Sequence, residues 1–592
     1  MSAIPLEVPR EPFLVDIFHH WQQSPERILI REQSAIKKES RIDKFLYDVL
    51  KVRQHIYERL AEDAKFRLVH TDSDVFIAIL AMAGYEFAVV LFAIYSIGAV
   101  AVPLSPGVLL EEAKYFLKIC DAVLLISNSS ESQLGQTLSD ECGIGFFTFN
   151  SALSHSPPQP AFVLGPENST LSPDKGLALL YTSGTSSLPK GVLHSRYGTH
   201  VGIKSQVETF GLSNRDTWLH HSPVHWGAGF TILIACLISG ACVEFCGPVF
   251  DLEWLARRLE SRDATCLYLP PSQLDTFAHR LSARLDTWSQ SRYEAVLSGL
   301  KKLRVLCSGA VPIPLSTQAA WKGFRDGRSL VVVYAMTESM GLVASTSWKS
   351  EATFPSGCCG TRTPIVEVKV DDAGEICIKG PSLFKRYLSN DPSIMTGVFD
   401  SQGFYKTGDL GKLEGNLVSV FGRAAHDVIR IYAWRLCTVE LEEVLSKHPL
   451  VAQAIVLGIP HPTMGQQVAV LLVTGQEMTQ SGDGSIRLNH NFSLLELRMW
   501  LAIDQGLPKF KLPTLLRVVG LTHRLPVTAS GKIVKPKIRE LFFNDEDIAS
   551  GQVECCDLLA GIAGLPERPF DWSGIQASQL GPFGQSPTVA AE

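Results

Sequence analysis

The stretch LLYTSGTSSLPKGVLHS at 179–195 combines residue types that can handle a phosphate chain. An apolar strand runs into a loop of Thr, Ser and Gly and closes on Pro189, Lys190 and Gly191. Small hydroxyl residues and glycine let backbone N–H groups come close to phosphate oxygens. Lys190 adds a compact positive charge. The spacing G-x-x-x-x-G-K-[ST] is absent, so this is not a Walker A loop. The same residues could form a Ser/Thr/Gly-rich surface turn, a reading that the clustered hydroxyls and the Pro-Lys-Gly end disfavour.

Four more motifs follow in order: VVVYAMTES at 331–339, YKTGDLG at 405–411, FGRAAHDVIRIYAWRLCTVELEEVL at 421–445 and LPVTASGKIVK at 525–535. Together with TSGTSSLPKG and the early segment GYEFAVVLFAIYSIGAVAVPLSP, they resemble the adenylate-forming superfamily. That superfamily contains acyl-CoA synthetases, non-ribosomal adenylation domains and luciferases. The resemblance covers about residues 12–545. It implies two half-reactions: a carboxylate attacks the α-phosphate of ATP and releases pyrophosphate, then a thiol, usually that of CoA, displaces AMP. The first step brings two anions together, so it needs positioning and charge neutralisation.

The matched positions imply a site. Thr182, Ser183, Gly184, Thr185 and Lys190 would hold the β- and γ-phosphates, with Ser186 beside them. Glu338 would hold Mg²⁺, with Thr185 as a second metal contact. A hard divalent ion bound through one carboxylate and substrate phosphates suits Mg²⁺. Thr337 would sit near the α-phosphate. Ser308, Gly309, Ala310 and Tyr334 would line the adenine, and Ala335 and Met336 would complete that run. Asp409 would accept hydrogen bonds from the ribose hydroxyls, and Arg423 would contact the nucleotide. Lys532 would bridge the acyl carboxylate and the α-phosphate. Lys532, Glu338, Thr337 and Lys190 form the implied catalytic set. Each has a plainer alternative. Glu338 could be a helix-start carboxylate stabilised by the dipole. Asp409 could form a turn. Lys532 could be solvated in a basic run with Lys535 and Lys537, and Arg423 could pair on the surface.

LHHSPVHWGAGFT at 219–231 resembles the family's acyl-pocket motif. His225, Trp226 and Gly227 would lie beside the acyl substrate, with Val333 and Gly341 completing the pocket. Trp226 could equally be a core anchor. LCSGAVPIPL, GPSLFKRYLSNDP and one extra residue in the hinge motif resemble the malonyl-CoA synthetase-like branch. That branch places an Arg just before the motif Tyr to bind a second carboxylate, where this chain has Val333. An apolar side chain cannot supply a bidentate guanidinium. A monocarboxylic, apolar or biosynthetic acid is therefore expected. Tyr432 and Ala433 replace the expected Gly-Gly pair and add bulk near the thiol's approach. The usual hinge position holds Ala425, with Asp427 as the candidate to serve instead.

These residues need elements to position them. From 70 to 165, apolar strands and helices alternate, a βαβ signature of an open, largely parallel sheet. A polar, Pro-rich linker is expected over Ser154–Pro173. A second α/β block runs from Leu177 to about Cys307, and residues 357–420 read as a small β region. Residues 12–30 read as an amphipathic helix carrying Phe18, Trp21 and Ile28, and 31–70 as charged and helical. The expected fold is α/β: a large N-terminal body of mostly parallel sheets flanked by helices, plus a small, mobile α+β C-terminal domain. The expected domains are 12–422 for the body, 423–545 for the lid and 546–592 for a flexible tail.

Composition narrows the classes. The 592 residues are 46% hydrophobic and 19% charged, so disorder across the chain is excluded. A net charge of -6 removes the electrostatic footprint of a nucleic-acid binder. An acidic substrate must then be held by local donors. Residues 87–110 are apolar enough to raise a membrane span, but Gly98 and Pro103 interrupt any helix. A core helix followed by a core strand is expected there. The thirteen cysteines include no CxxC, so reduced, mostly buried thiols are expected. No signal peptide, transmembrane segment or peroxisomal address is recognised, and a cytoplasmic location is expected. The expected activity is an AMP-forming acid:CoA ligase using ATP, Mg²⁺ and CoA. Alternatives are an adenylating enzyme that loads a carrier-protein phosphopantetheine, and a catalytically reduced acyl or nucleotide scaffold.

Overall fold

The computed structural model describes residues 5–32, 38–149, 160–167, 171–182, 189–246, 251–282, 288–310, 313, 315–355, 357–423, 427–431, 434–462, 464–474, 478–480, 486–488, 493–528 and 533–556. Two large sheets build the body. The first has seven strands in the order Arg386–Leu388, Lys190–Ser195, Gly176–Thr182, Val100–Leu104, Phe76–Leu80, Leu124–Ser127 and Gly145–Thr148. Its five strands from Gly176–Thr182 to Gly145–Thr148 run parallel. The strands FIAIL, VAVPL and LLIS are buried at every residue, as strands covered on both faces require.

The second sheet has thirteen strands. Its middle is parallel: Ile28–Glu32, Cys242–Phe245, Thr217–His220, Cys266–Tyr268, Val305–Gly309 and Val331–Met336. From Gly341–Ser345 onward the pairing is antiparallel, through Cys358–Arg362, Leu417–Arg423, Tyr405–Glu414, Glu375–Lys379 and Glu367–Val370. The short strands of 357–420 therefore form no separate sheet: Arg386–Leu388 joins the edge of the first sheet and the others extend the second.

Two helices lie in the apolar layer between the sheets, Tyr85–Ser96 and Gly227–Ile238. Both are buried almost all round, which their apolar sequences demand. One core cluster joins them to side chains of both sheets, including Ile77, Leu180, Trp218 and Val305. The apolar stretch after Phe87 is thus a core helix followed by the core strand Val100–Leu104. Among the described residues, no helix is long and apolar enough to cross a membrane. All thirteen cysteines are free of disulfides, and most are buried.

Some sequence expectations shift. The first helix stops at Gln23, and Ile28 belongs to the strand Ile28–Glu32. Ser24 and the turn after it end the helical period. The charged stretch after it begins with the strand Lys38–Arg41 before turning helical. Within the expected linker, Phe162–Leu164 forms a strand parallel to Leu6–Val8.

The C-terminal unit has its own sheet, ordered Trp434–Cys437, Val428–Ile431, Gly465–Thr474, Leu515–Gly520 and Glu554–Cys555, with Val451–His461 also on Gly465–Thr474. Leu494–Ile503 packs on it behind a capping box formed by Ser493 and Glu496. The helix Asp545–Ala549 and the strand Glu554–Cys555 occupy residues expected to start a tail. The sheet of this unit therefore includes residues as far along as Glu554–Cys555.

The helix Arg196–Phe210 meets the second sheet at an unusually close approach. A Cβ on Gly202 would lie 2.2 Å from the Met340 carbonyl oxygen. Gly341 faces Gly202 from the other side at φ +147°. Gly323, in the helix Leu315–Phe324, has open space around it. Gly202→Ala should destabilise the protein by about 1–3 kcal/mol through overpacking. Gly323→Ala should be neutral or stabilise by up to about 1 kcal/mol. Urea unfolding of both variants checks the contrast.

Candidate active site

The phosphate-loop motif sits on a hairpin. Gly176–Thr182 and Lys190–Ser195 pair antiparallel, with Thr182 opposite Lys190. Tyr181 stacks on Phe116 at 4.0 Å between ring centroids. The Tyr115 hydroxyl donates to the Pro189 carbonyl at 3.0 Å. Neighbouring aromatics thus grip the hairpin on both sides of the loop. Ser183, Gly184, Thr185 and Ser186 lie outside the described residues.

Lys190 projects from the start of the second hairpin strand. Its Nζ stands 3.8 Å above the centroid of the Tyr387 ring. Burial lowers its pKa, and the nearby Glu338 carboxylate partly offsets this. Tyr387 belongs to the strand Arg386–Leu388, opposite Val192. Its hydroxyl donates to Glu338 Oε1 at 2.7 Å and lies 3.0 Å from the Tyr405 hydroxyl. Burial, then the Glu338 charge, pushes the Tyr387 phenol well above its ordinary range.

Glu338 occupies a single 3-10 turn, Thr337–Ser339, at the end of the strand Val331–Met336. The Ser339 hydroxyl donates to the Gly341 carbonyl at 2.8 Å, and the Phe384 N–H donates to the Glu338 carbonyl at 2.9 Å. The turn is thereby pinned from two directions. Three residues make a poor dipole site, so the helix-start explanation for Glu338 loses its basis.

Asp409 and Arg423 face each other across the antiparallel strands Tyr405–Glu414 and Leu417–Arg423. Arg423 Nε lies 2.8 Å from Asp409 Oδ1, and the Tyr334 hydroxyl donates to Asp409 Oδ2 at 2.7 Å. Thr407 Oγ1 accepts the Asp409 N–H at 3.0 Å. Asp409 is buried, so it is no ordinary surface turn residue. Of the predicted adenine-lining residues, Ser308 and Gly309 are buried and Ala310 is exposed. Ala335 is exposed as well, whereas Met336 and Thr337 are half-buried.

The predicted acyl-pocket residues divide. Trp226 caps the helix Gly227–Ile238, with its ring edge-on to His225 at 5.6 Å. The position Cβ would take on Gly227 is 3.8 Å from Thr337 Cα, so this helix start adjoins the Thr337–Ser339 turn. Val333 is half-buried on the same strand as Tyr334. Gly341 sits at the contact with Gly202 described above. His225, His220 and His221 are held neutral, with burial pushing each pKa down to about 4.

Lys532, Tyr432, Ala433 and Ala425 lie outside the described residues. Asp427 and Lys535, close to them in sequence, are described. Asp427 Oδ2 accepts the Arg423 N–H at 2.9 Å. Lys535 Nζ reaches Asp427 Oδ1 at 2.7 Å, Thr438 Oγ1 at 2.8 Å and Glu442 Oε1 at 3.1 Å. Lys535 is therefore paired beside the hinge and not part of a solvated basic run. Sequence reasoning missed Tyr387 and Lys535 because their partners are distant in the chain. Tyr387 lies 49 residues from Glu338, and Lys535 lies 108 from Asp427. Both stand inside motifs that were legible, which was the available signal.

The sequence profile of the AMP-binding enzyme family matches residues 67–388, and that of the AMP-binding enzyme C-terminal domain matches residues 440–532. The chain belongs to the AMP-binding enzyme family. It is an ATP-dependent, adenylate-forming enzyme of the acyl-CoA synthetase and ligase class. It is similar to acyl-CoA ligase oryP of Aspergillus oryzae, at 28% identity over 96% of this chain and 98% of that protein. It is also similar to malonate–CoA ligase of Arabidopsis thaliana, at 28% identity over 79% of this chain and 78% of that one. ATP-bound MatB from Rhodopseudomonas palustris shares the fold, with a TM-score of 0.71 at 21% identity over 89% of this chain and 98% of MatB.

The buried imidazoles make stability depend on pH. Burial lowers the His194 pKa to about 3, alongside the values near 4 for His220, His221 and His225. Each folded pKa lies below the unfolded value, so between about pH 6.5 and 4 the unfolded chain binds the extra proton. This contribution to stability is complete above about pH 6.5 and is lost as the pH falls, by up to about 1.4 kcal/mol per pH unit for each imidazole. Urea midpoints from pH 7 to 5 should fall accordingly, and His194→Gln should give a shallower slope.

Proposed function

We propose that the chain converts a monocarboxylic acid, ATP and CoA to an acyl-CoA, AMP and pyrophosphate. One observation carries the reading: Lys190, Glu338, Asp409 and Arg423 converge around the hydrogen-bonded tyrosines 334, 387 and 405. Two cations and two carboxylates in one cluster suit an anionic nucleotide in a chain of net negative charge. Residues 12–422 form the nucleotide-holding body, and the unit beyond Arg423, extended to Cys556, forms the lid.

In this reading the acid's carboxylate oxygen attacks the α-phosphorus, and the bond to the leaving pyrophosphate breaks. Lys190 and the loop residues Thr182–Ser186 hold the β- and γ-phosphates. Asp409 accepts the ribose hydroxyls while Tyr334 and Arg423 fix its orientation. Ala310, Tyr334 and the neighbouring strand ends border the adenine. Lys532 approaches from the lid and spans the two reacting anions. The thiol of CoA then attacks the acyl carbon, and the C–O bond to AMP breaks.

Glu338 fits a Mg²⁺ ion, with Thr185 as the second contact that the motif implies. Among the described residues, no group of three or more His, Cys, Asp or Glu could hold a metal. Glu338 offers one carboxylate, so the ion would draw its remaining ligands from phosphate and water, as Mg²⁺ commonly does. When bound, it would neutralise phosphate charge.

The acyl side supports an uncharged tail. Val333 brings no guanidinium, and His225 is neutral at pH 7. Relatives named malonate–CoA ligases handle a dicarboxylate, and that substrate is not expected here. Pyrophosphate release should be measured across many carboxylic acids, with and without CoA. Monocarboxylates should be the active substrates, with thioester formed. Malonate as the best substrate would reject the pocket reading, and release without thioester would favour a carrier-protein or other acceptor. Lys532→Ala should lose about 10²–10³ in adenylation rate, as for one transition-state donor.

A further inference from the structure

We infer that Tyr387 is a positioning residue that sets the metal-facing carboxylate and the phosphate-facing cation together. The inference rests on the reading of Glu338 as a Mg²⁺ ligand and Lys190 as a phosphate contact. Its basis is the contact pattern of one side chain. The phenol donates its single proton to Glu338 Oε1 at 2.7 Å. A phenol has one proton, so in the 3.0 Å contact with Tyr405 the proton must come from the Tyr405 hydroxyl. The relay therefore runs Tyr405 to Tyr387 to Glu338. It fixes Oε1 and directs the rest of the carboxylate's acceptor capacity elsewhere.

The ring does separate work. Its face lies 3.8 Å from Lys190 Nζ, a cation–π geometry that restrains a long, flexible side chain. The ring is itself fixed by Phe384 at 4.4 Å between centroids. The backbone reinforces this arrangement. Phe384 N–H holds the Glu338 carbonyl, and the strand Arg386–Leu388 pairs with the strand that carries Lys190. A hydrogen-bonded partner behind a metal ligand orients that ligand. A purely structural tyrosine would need neither the hydroxyl on Glu338 nor a ring face under Lys190.

The two parts can be separated by mutation. Tyr387→Phe keeps the ring and removes the hydroxyl. Mn²⁺ binding to the full chain with a non-hydrolysable ATP analogue, read by electron paramagnetic resonance, should weaken about tenfold. The Mg²⁺ concentration for half-maximal pyrophosphate release should rise by a similar factor, with KM for the acid unchanged. Tyr387→Leu removes the ring too, and should also raise KM for ATP. Wild-type Mn²⁺ binding in Tyr387→Phe overturns the inference. Glu338→Gln is the separate control: unchanged Mn²⁺ binding in that variant overturns the metal reading itself. Should Tyr387→Phe fail to fold by circular dichroism, Tyr405→Phe tests the same relay. It should weaken Mn²⁺ binding in the same direction, and no change there overturns the inference.

Discussion

The cross-strand pairing of Asp409 with Arg423 is the constraint on which the rest of the site depends. It joins the last two long strands of the body and places a buried carboxylate at the end of the sheet. Tyr334 completes it from the strand that also leads to Glu338. The same Arg423 offers its backbone N–H to Asp427, where the C-terminal unit begins. One short stretch thus links the Asp409 cluster of the body to the start of the C-terminal unit. A partly buried carboxylate with several donors holds its geometry better than an exposed ion pair would.

Much of the fold was legible in local pattern. Apolar runs such as FIAIL and VAVPL, bounded by Gly and polar residues, mark buried parallel strands, and both appear as such. Lys190, Tyr334, Glu338, Asp409 and Arg423, from four of the five ordered motifs, lie in one cluster of contacts. What pattern could not give was partnership across the chain. The strands of 357–420 look like an independent β region because periodicity reports strands without their neighbours. In the fold Arg386–Leu388 joins the first sheet, and the others extend the second beyond its parallel strands. Lys535 looked like a member of a basic run because composition cannot show that Asp427 and Glu442 fold against it.

Net charge and local charge also separate. The chain carries -6 overall, yet Lys190 and Arg423 bring positive charge to the site. Tyrosine hydroxyls organise the carboxylates between these cations without adding charge. This allows an anionic ligand to be met locally while the rest of the surface stays mildly acidic. His220, His221 and His225 are buried and neutral, so they add no charge to this balance.

The strand order of the larger sheet has a consequence for biosynthesis. Ile28–Glu32 is among the first segments made, but its parallel neighbour is Cys242–Phe245. At ribosomal rates the early strand waits roughly 10–40 s for that partner to be made. During the wait its exposed edge could recruit another nascent chain. The antiparallel strand Lys38–Arg41, with the sequence KESR, covers one side of it with charged residues. Charge on an edge strand discourages pairing between chains. The charged strand Lys38–Arg41 thus keeps the outer rim of the finished thirteen-stranded sheet from pairing with another chain, while the opposite edge of Ile28–Glu32 waits for Cys242–Phe245.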